Sequence, residues 1–342
     1  MVLWRSRQRK LLFLRASLGS PYASTAALKC RYVNEISSSR SVAMKKILMI
    51  GGLIVVIGVG WIGARWIYYV NEYKQHLPRT EISVNDVTRE YYLFTPSNEA
   101  DRPSPLLITL QGGGADAGWR FASQYNWEAL AKKEGMIIAL PSGKQVGDNE
   151  GAWQLNTDSE STQDIEFFDA MISEIAEQHT VDETRIYAVG YSLGSMFSYE
   201  LACQMSTRFA AIASFAGTMP VSPKSCDPER NVPIMHIHGV QDGIIAYGNS
   251  WDWKSWDSVG TMHDIPSLVN YWRDKYNCED KNEVSSDEIA HIVYETCDQD
   301  SRVEHYRLEK GTHDWPEYIN GEPTYSVIWS FLRKHSVSDR EI

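Results

Sequence analysis

Gly190-Tyr191-Ser192-Leu193-Gly194 sets a serine between two glycines, where an apolar run over 185–190 hands over to a helix-like pattern over 194–205. A serine hydroxyl is a weak nucleophile alone; it needs a base beside it, and the base needs an acid to orient it. Asp242 follows the apolar run 232–238 in "HGVQDG", and His313 follows the strand-like "VEHYRLEKG" in "GTHDWP". Serine, acid and histidine at the ends of three such runs are the parts of nucleophilic acyl transfer. A fourth run, "PLLITLQ", ends in Gly112-Gly113-Gly114. Amides there can face a developing oxyanion without side chains in the way, and Leu193, the residue after the serine, offers a second N–H. A phosphate loop is the poorer reading, because no Gly-Lys-Ser/Thr ending follows.

These residues must be positioned by regular elements. Strands are expected over 90–96, 105–111, 136–143, 185–190, 210–217, 232–239 and 303–311, and helices over 120–135, 162–179 and 194–205. Within the helix over 162–179, Ile165, Phe168, Ile172 and Ile175 recur three or four residues apart, as one buried face requires. Asp164 on this helix is read as capping or pairing locally. Strands that are apolar along their whole length and separated by helices predict a mostly parallel central sheet with helices on both faces. In such a sheet ligands gather at the carboxyl ends of the strands, where the three candidate residues fall. The glycines flanking Ser192 suit the strand-turn-helix bend of a nucleophile elbow.

The chain has 342 residues and a net charge of −11, with 43% hydrophobic and 11% aromatic residues, ample for a large buried core. Residues 1–65 hold 11 of the 33 lysines and arginines but only Glu35 of the 44 acidic residues, which leaves the remainder at about −21. So acidic a body repels phosphate backbones and argues against nucleic-acid partners. Ile47 to Ala64 carries no charge and follows Lys45 and Lys46, approaching the roughly 20 residues that span a bilayer. The charge asymmetry puts everything after Arg65 outside the cytoplasm. With Trp61, Trp66, Tyr68 and Tyr69 at its far end, the segment reads as an uncleaved anchor, the alternative being a cleaved signal peptide. The expected organisation is a basic, unstructured segment over 1–43, a signal anchor or signal peptide over 44–69, a linker over 70–79 and one catalytic domain over 80–342. The protein is expected to be periplasmic or secreted, tethered by residues 47–64.

Cys203, Cys226, Cys278 and Cys297 all fall in the exported part, an even count that suggests two disulfides. Four cysteines allow three pairings; Cys203 with Cys226 and Cys278 with Cys297 close the shortest loops. No CxxC or HExxH spacing occurs, so neither a metal nor a cofactor is expected. His236 and His238 alternate with apolar residues on one strand and read as core or supporting residues, not a metal pair. The cluster "WDWKSWD" holds Trp251, Trp253 and Trp256 just after the acid loop. With Trp153 and Trp315, these tryptophans are candidates to line a cleft by stacking on sugar or aryl rings, the rival being core packing.

The segments "LQGGGADAG", "TQDIEFFDAMI", "DETRIYAVGYSLGSMFSYELAC", "FAAIASFAGTM", "PIMHIHGVQDGIIAYG" and "GTHDWP" together resemble the exported polyhydroxybutyrate depolymerase and feruloyl esterase group of α/β-hydrolases, over residues 80–335. The resemblance implies the α/β-hydrolase fold, Ser192 as nucleophile, Asp242 as acid, His313 as base, and the Gly113 and Leu193 amides as oxyanion donors. The substrate implied is a polyester, plant-wall or small aryl or acyl ester, hydrolysed through an acyl-enzyme with no cofactor. Two positions depart from the pattern: Gln111 stands where the group has histidine, and Ser195 where it has a further glycine. A serine peptidase of the same fold and a catalytically silent glycan-binding module are the alternatives.

Overall fold

A computed structural model of the chain describes scattered residues between 47 and 67, then residues 77–96, 102–113, 127–146, 149–156, 163–252 and 259–337. The chain divides into two compact units, Met1–Val70 and Asn71–Ile342. In the first, the described residues, such as Ile47, Met49 and Trp61, are helical. Among the described residues no helix is long and apolar enough to cross a membrane. The anchor expected over 47–64 lies mostly outside them.

The second unit is built on ten strands: β1 Arg79–Val84, β2 Val87–Phe94, β3 Ser104–Leu110, β4 Ile137–Pro141, β5 Val181–Tyr191, β6 Ala211–Phe215, β7 Ile234–Gly239, β8 Asp280–Ser285, β9 Ile289–Glu295 and β10 Val303–Leu308. They form one sheet in the order β1-β2-β4-β3-β5-β6-β7-β10-β9-β8. The six strands from β4 through β10 run parallel, and an antiparallel pair extends each edge. Every residue of β3, β4, β6 and β7 is buried, as strands covered on both faces must be.

The described helices of this unit are α1 Trp127–Glu134, α2 Gln163–Gln178, α3 Leu193–Gln204, α4 Ile265–Lys275 and α5 Thr324–Leu332. α2 buries Phe167, Phe168, Met171, Ile172 and Ile175. α4 starts where the Asp264 carboxylate accepts the Ser267 amide at 2.9 Å, with Pro266 in its first turn. Of the helix expected over 120–135, the part before Trp127 lies outside the described residues.

Asp164 corrects the local reading given to it. Its carboxylate accepts from Arg89 of β2 at 2.6 Å and from the Gln154 amide at 2.7 Å, and both members of the ion pair are buried. The Arg89 guanidinium also lies 4.3 Å over the Phe167 ring. The residue therefore ties α2 to the sheet across the sequence. The cysteines pair as Cys203–Cys226 and Cys278–Cys297.

Candidate active site

β5 ends at Tyr191 and α3 begins at Leu193, so Ser192 alone makes the bend, with φ 53° and ψ −119°. A left-handed φ is costly for a residue with a side chain and survives only where the surroundings dictate it. Here the Ser192 amide donates to Phe215 O at 2.9 Å and its carbonyl accepts the Met196 amide at 3.0 Å. A Cβ at Gly190 would overlap the backbone of Gly194, and one at Gly194 would overlap the carbonyls of Leu110 and Gln111. Strand, turn and helix thus meet with no room for a methyl group.

Asp242 sits beyond β7 and His313 beyond β10, two adjacent parallel strands. Their loops are drawn together by the Gln241 amide, which donates to Gly311 O at 2.8 Å. Gly239 faces Gly311 so closely that a Cβ there would overlap the Gly311 backbone. His313 Nε2 lies 2.9 Å from Ser192 Oγ, and His313 Nδ1 lies 2.8 Å from Asp242 Oδ2. The other carboxylate oxygen, Oδ1, accepts the amides of Ile244 and Ile245, both at 2.8 Å. Burial alone would raise the Asp242 pKa. Hydrogen bonds from His238, His313 and the Ile245 and Ile244 amides outweigh it and hold the carboxyl well below its usual range. An ionised Asp242 fixes the His313 proton on Nδ1 and leaves Nε2 bare, ready to accept from Ser192. Tyr191 braces the base, its hydroxyl donating to His313 O at 3.1 Å.

Gly112 and Gly113 run beside the elbow. A Cβ on Gly112 would lie 3.2 Å from Ser192 Cβ, and one on Gly113 would lie 3.5 Å from Leu193 Cδ2. The structure thus brings together Ser192, Asp242, His313, Gly113 and Leu193; Gly114 lies outside the described residues.

Both departures from the family pattern have local explanations. Gln111 is buried, and its amide joins this loop to the end of β4, donating to Pro141 O and accepting from Gly143 N, both at 3.0 Å. Ser195 is buried with its Oγ 2.5 Å from Ser214 Oγ. Gly217 faces it where a Cβ would collide with that hydroxyl.

The tryptophans divide. Trp153 is fully buried and so cannot line a cleft, which corrects that expectation. It stacks on Phe197 at 5.2 Å, and its Nε1 donates to Gln111 O at 3.1 Å, bracing the glycine loop from behind. Trp315 is half-buried against Phe215, Tyr191 and Trp127. Trp251 is half-buried against the core, paired with Met262 in a short hairpin. Trp253 and Trp256 lie outside the described residues. No group of three or more His, Cys, Asp or Glu side chains suited to a metal ion occurs among the described residues. His238, read only as core or supporting, reaches the acid itself: its Nε2 lies 3.3 Å from Asp242 Oδ2.

A mostly parallel sheet with helices, carrying serine, acid and histidine beyond the ends of β5, β7 and β10 in that chain order, has the form of an α/β-hydrolase. Residues 143–254 match the dienelactone hydrolase family. The chain is similar to the bifunctional acetylxylan esterase/xylanase of Neocallimastix patriciarum, 24% identical over 275 residues, covering 78% of this chain and 35% of that one. It is also similar to feruloyl esterase B of Piromyces equi, 26% identical over 248 residues, covering 71% and 44%. The chain thus spans less than half the length of these two curated relatives. Among solved structures it resembles the acetyl xylan esterase from Aspergillus awamori, with a TM-score of 0.54 and 13% identity over 75% of this chain and 99% of that one. At that identity the likeness speaks for the fold.

Proposed function

We propose that this domain is a serine carboxylesterase. The observation that carries the reading is the continuous hydrogen-bonded line from Ser192 Oγ through His313 to Asp242, with contacts of 2.9 and 2.8 Å. As Ser192 Oγ attacks the ester carbonyl carbon, its proton passes to His313 Nε2, and Asp242 stabilises the resulting imidazolium. The Gly113 and Leu193 amides hold the oxyanion. Collapse of the tetrahedral intermediate expels the alcohol, which takes the proton from His313. A water molecule then gives a proton to the same nitrogen and attacks the acyl-enzyme, releasing the acid and restoring Ser192.

The names of the two curated relatives favour acetylxylan or a feruloyl ester as substrate, with hydroxyalkanoate polyesters as the third class to test. Two disulfides favour an oxidising compartment outside the cytoplasm, with residues 47–64 as the tether.

The test is Ser192→Ala assayed beside the wild type on acetyl-xylan, a feruloyl ester and a hydroxyalkanoate ester. Turnover should fall by roughly 10⁴-fold or more while the melting temperature holds. Hydrolysis near the wild-type rate in the variant would remove Ser192 from its role. Cleavage of amides but not esters by the wild type would point to a peptidase, and indifference of Ser192 to a fluorophosphonate probe would point to a silent binding module.

A further inference from the structure

Three imidazoles lie stacked beneath the triad acid. The His305 and His236 rings are 5.5 Å apart, and the His236 and His238 rings 5.3 Å, each pair within 30° of parallel. None of the three is more than 2% exposed. Polar rings buried this deeply are tolerated only when their nitrogens are partnered, and all six have partners. His305 Nδ1 meets His236 O at 3.1 Å, and its Nε2 meets Tyr247 Oη at 3.0 Å. His236 Nδ1 meets Tyr199 Oη at 2.7 Å and Ser214 Oγ at 3.2 Å, and its Nε2 meets His238 Nδ1 at 3.2 Å. His238 Nε2 meets Ile245 O at 2.9 Å and Asp242 Oδ2 at 3.3 Å.

The proton positions follow from donor and acceptor chemistry. A carbonyl can only accept, so His238 Nε2 carries a proton, which it donates to Ile245 O, with Asp242 Oδ2 beside the same N–H at 3.3 Å. Burial, with the charge His238 or His305 would carry beside it, holds the His236 pKa far below its ordinary value, which keeps that ring neutral. With the His236 proton on Nε2, His238 Nδ1 becomes an acceptor and every contact pairs one donor with one acceptor. The Tyr199 hydroxyl then donates to His236, His236 donates to His238, and the His238 N–H faces Ile245 O and Asp242. The line ends beside Oδ2, the same oxygen that receives the His313 proton.

We propose that His238 is a positioning residue for the triad. It biases the rotation of the Asp242 carboxylate, while Tyr199 and His236 fix the tautomer of His238. Oδ1 is already held by two backbone amides. The positive N–H edge of His238, 3.3 Å from Oδ2, favours the carboxylate rotation that aims this oxygen at His313 Nδ1. The inference rests on the esterase reading of Ser192, Asp242 and His313.

Two polar replacements separate this role from packing. His238→Gln can carry an N–H to the place of Nε2, whereas His238→Asn keeps an amide facing His236 but is too short to reach Asp242. Contacts to a charged group are among the stronger polar contacts, so His238→Asn should lower kcat roughly 10-fold with KM little changed. His238→Gln should recover most of that loss at a similar melting temperature. A kcat for His238→Asn within about twofold of wild type, or equal losses in both variants that track their melting temperatures, overturns the proposal. Ser192→Ala is assayed in parallel. Turnover persisting in that variant would bring down the esterase reading itself, whereas an inactive Ser192→Ala beside a fully active His238→Asn would bring down the positioning role alone. Should neither His238 variant fold, two-bond ¹H–¹⁵N correlation on the wild type decides: a protonated Nε2 and bare Nδ1 on His238 support the proposal, and the reverse tautomer overturns it.

Discussion

Asp242→Asn changes one heavy atom and should silence the proposed esterase. Oδ1 accepts the Ile244 and Ile245 amides, so the asparagine must keep its oxygen there, and its NH₂ takes the place of Oδ2. That group faces His313 Nδ1 at 2.8 Å, which was donating to the carboxylate, and lies 3.3 Å from the protonated His238 Nε2. To avoid opposing donors, His313 must move its proton to Nε2. Nε2 then faces Ser192 with a hydrogen instead of a lone pair and can no longer take the serine proton. In other serine hydrolases a wrong tautomer of this kind costs about 10⁴ in rate, which corresponds to about 5.5 kcal/mol of transition-state stabilisation. The assay is kcat/KM on an aryl ester at neutral pH, with a melting curve on the same protein. A loss below about tenfold in a protein that melts like wild type would refute the reasoning, because it would mean that Asp242 does not set the tautomer. Stability supplies a second readout. The Asp242 pKa is depressed in the folded state, so its contribution is present above the ordinary carboxylate value near 4 and is lost as pH falls below it. The Asn variant should show a weaker loss of stability in that acid range than the wild type.

Gly194→Ala should destabilise the domain by about 3 kcal/mol, the upper range for overpacking, because the new methyl meets the Leu110 and Gln111 carbonyls; Gly243→Ala, with nothing within 4 Å of its Cβ, is the control, and equal melting temperatures for the two would refute the close-packing account. Removing either disulfide as a Cys-to-Ala pair should cost about 3 kcal/mol by the loop-entropy relation, for sequence separations of 23 and 19 residues; denaturant midpoints with and without reductant measure it. Burial lowers the pKa of His305 to about 3 and of His335 to about 4, and holds that of His236 well below its ordinary value. The unfolded chain, with histidines near 6.5, therefore binds more protons, and stability should be complete above about pH 6.5 and fall as the pH drops toward 4. A melting temperature unchanged between pH 7 and 5 would contradict this, and His305→Gln should flatten the slope.

The parallel core was legible because strands buried on both faces leave a continuous apolar signature, as in "SPLLITL" of β3 and "IIALP" of β4. The antiparallel edge β8 was not, since all of "DKNEVS" is exposed. Nothing in that composition favours a strand; it extends because its backbone pairs with β9, Lys281 opposite Tyr294 and Glu283 opposite Ile292. The same limit hid the long-range partner of Asp164. An acid in the first turn of a helix is an ordinary local cap, and only the sheet packing brings Arg89 to it.

The candidate triad could be picked out because each member is announced within a few residues: a glycine-flanked serine, an acid after "HG", and a histidine after a strand that closes on glycine. Parts that act through contacts across the sheet carry no such announcement. Trp153 looked like a ring for substrate because tryptophan is costly to expose without a purpose. It serves instead as a buried brace on Gln111, a role that depends on two segments far apart in sequence meeting behind the loop. His238 is the intermediate case. Alternation with apolar residues placed it correctly inside the sheet, yet its position, the last residue before the glycine that ends β7, put it four residues from Asp242 at the catalytic edge. A buried side chain at a strand's carboxyl end cannot be far from the loop that carries the acid, and an imidazole there must spend its N–H on something that accepts. Strand position combined with the need to satisfy a buried donor was therefore the signal available in the sequence, and it points to an acceptor in the acid loop, where Ile245 O takes the bond and Asp242 Oδ2 lies beside it.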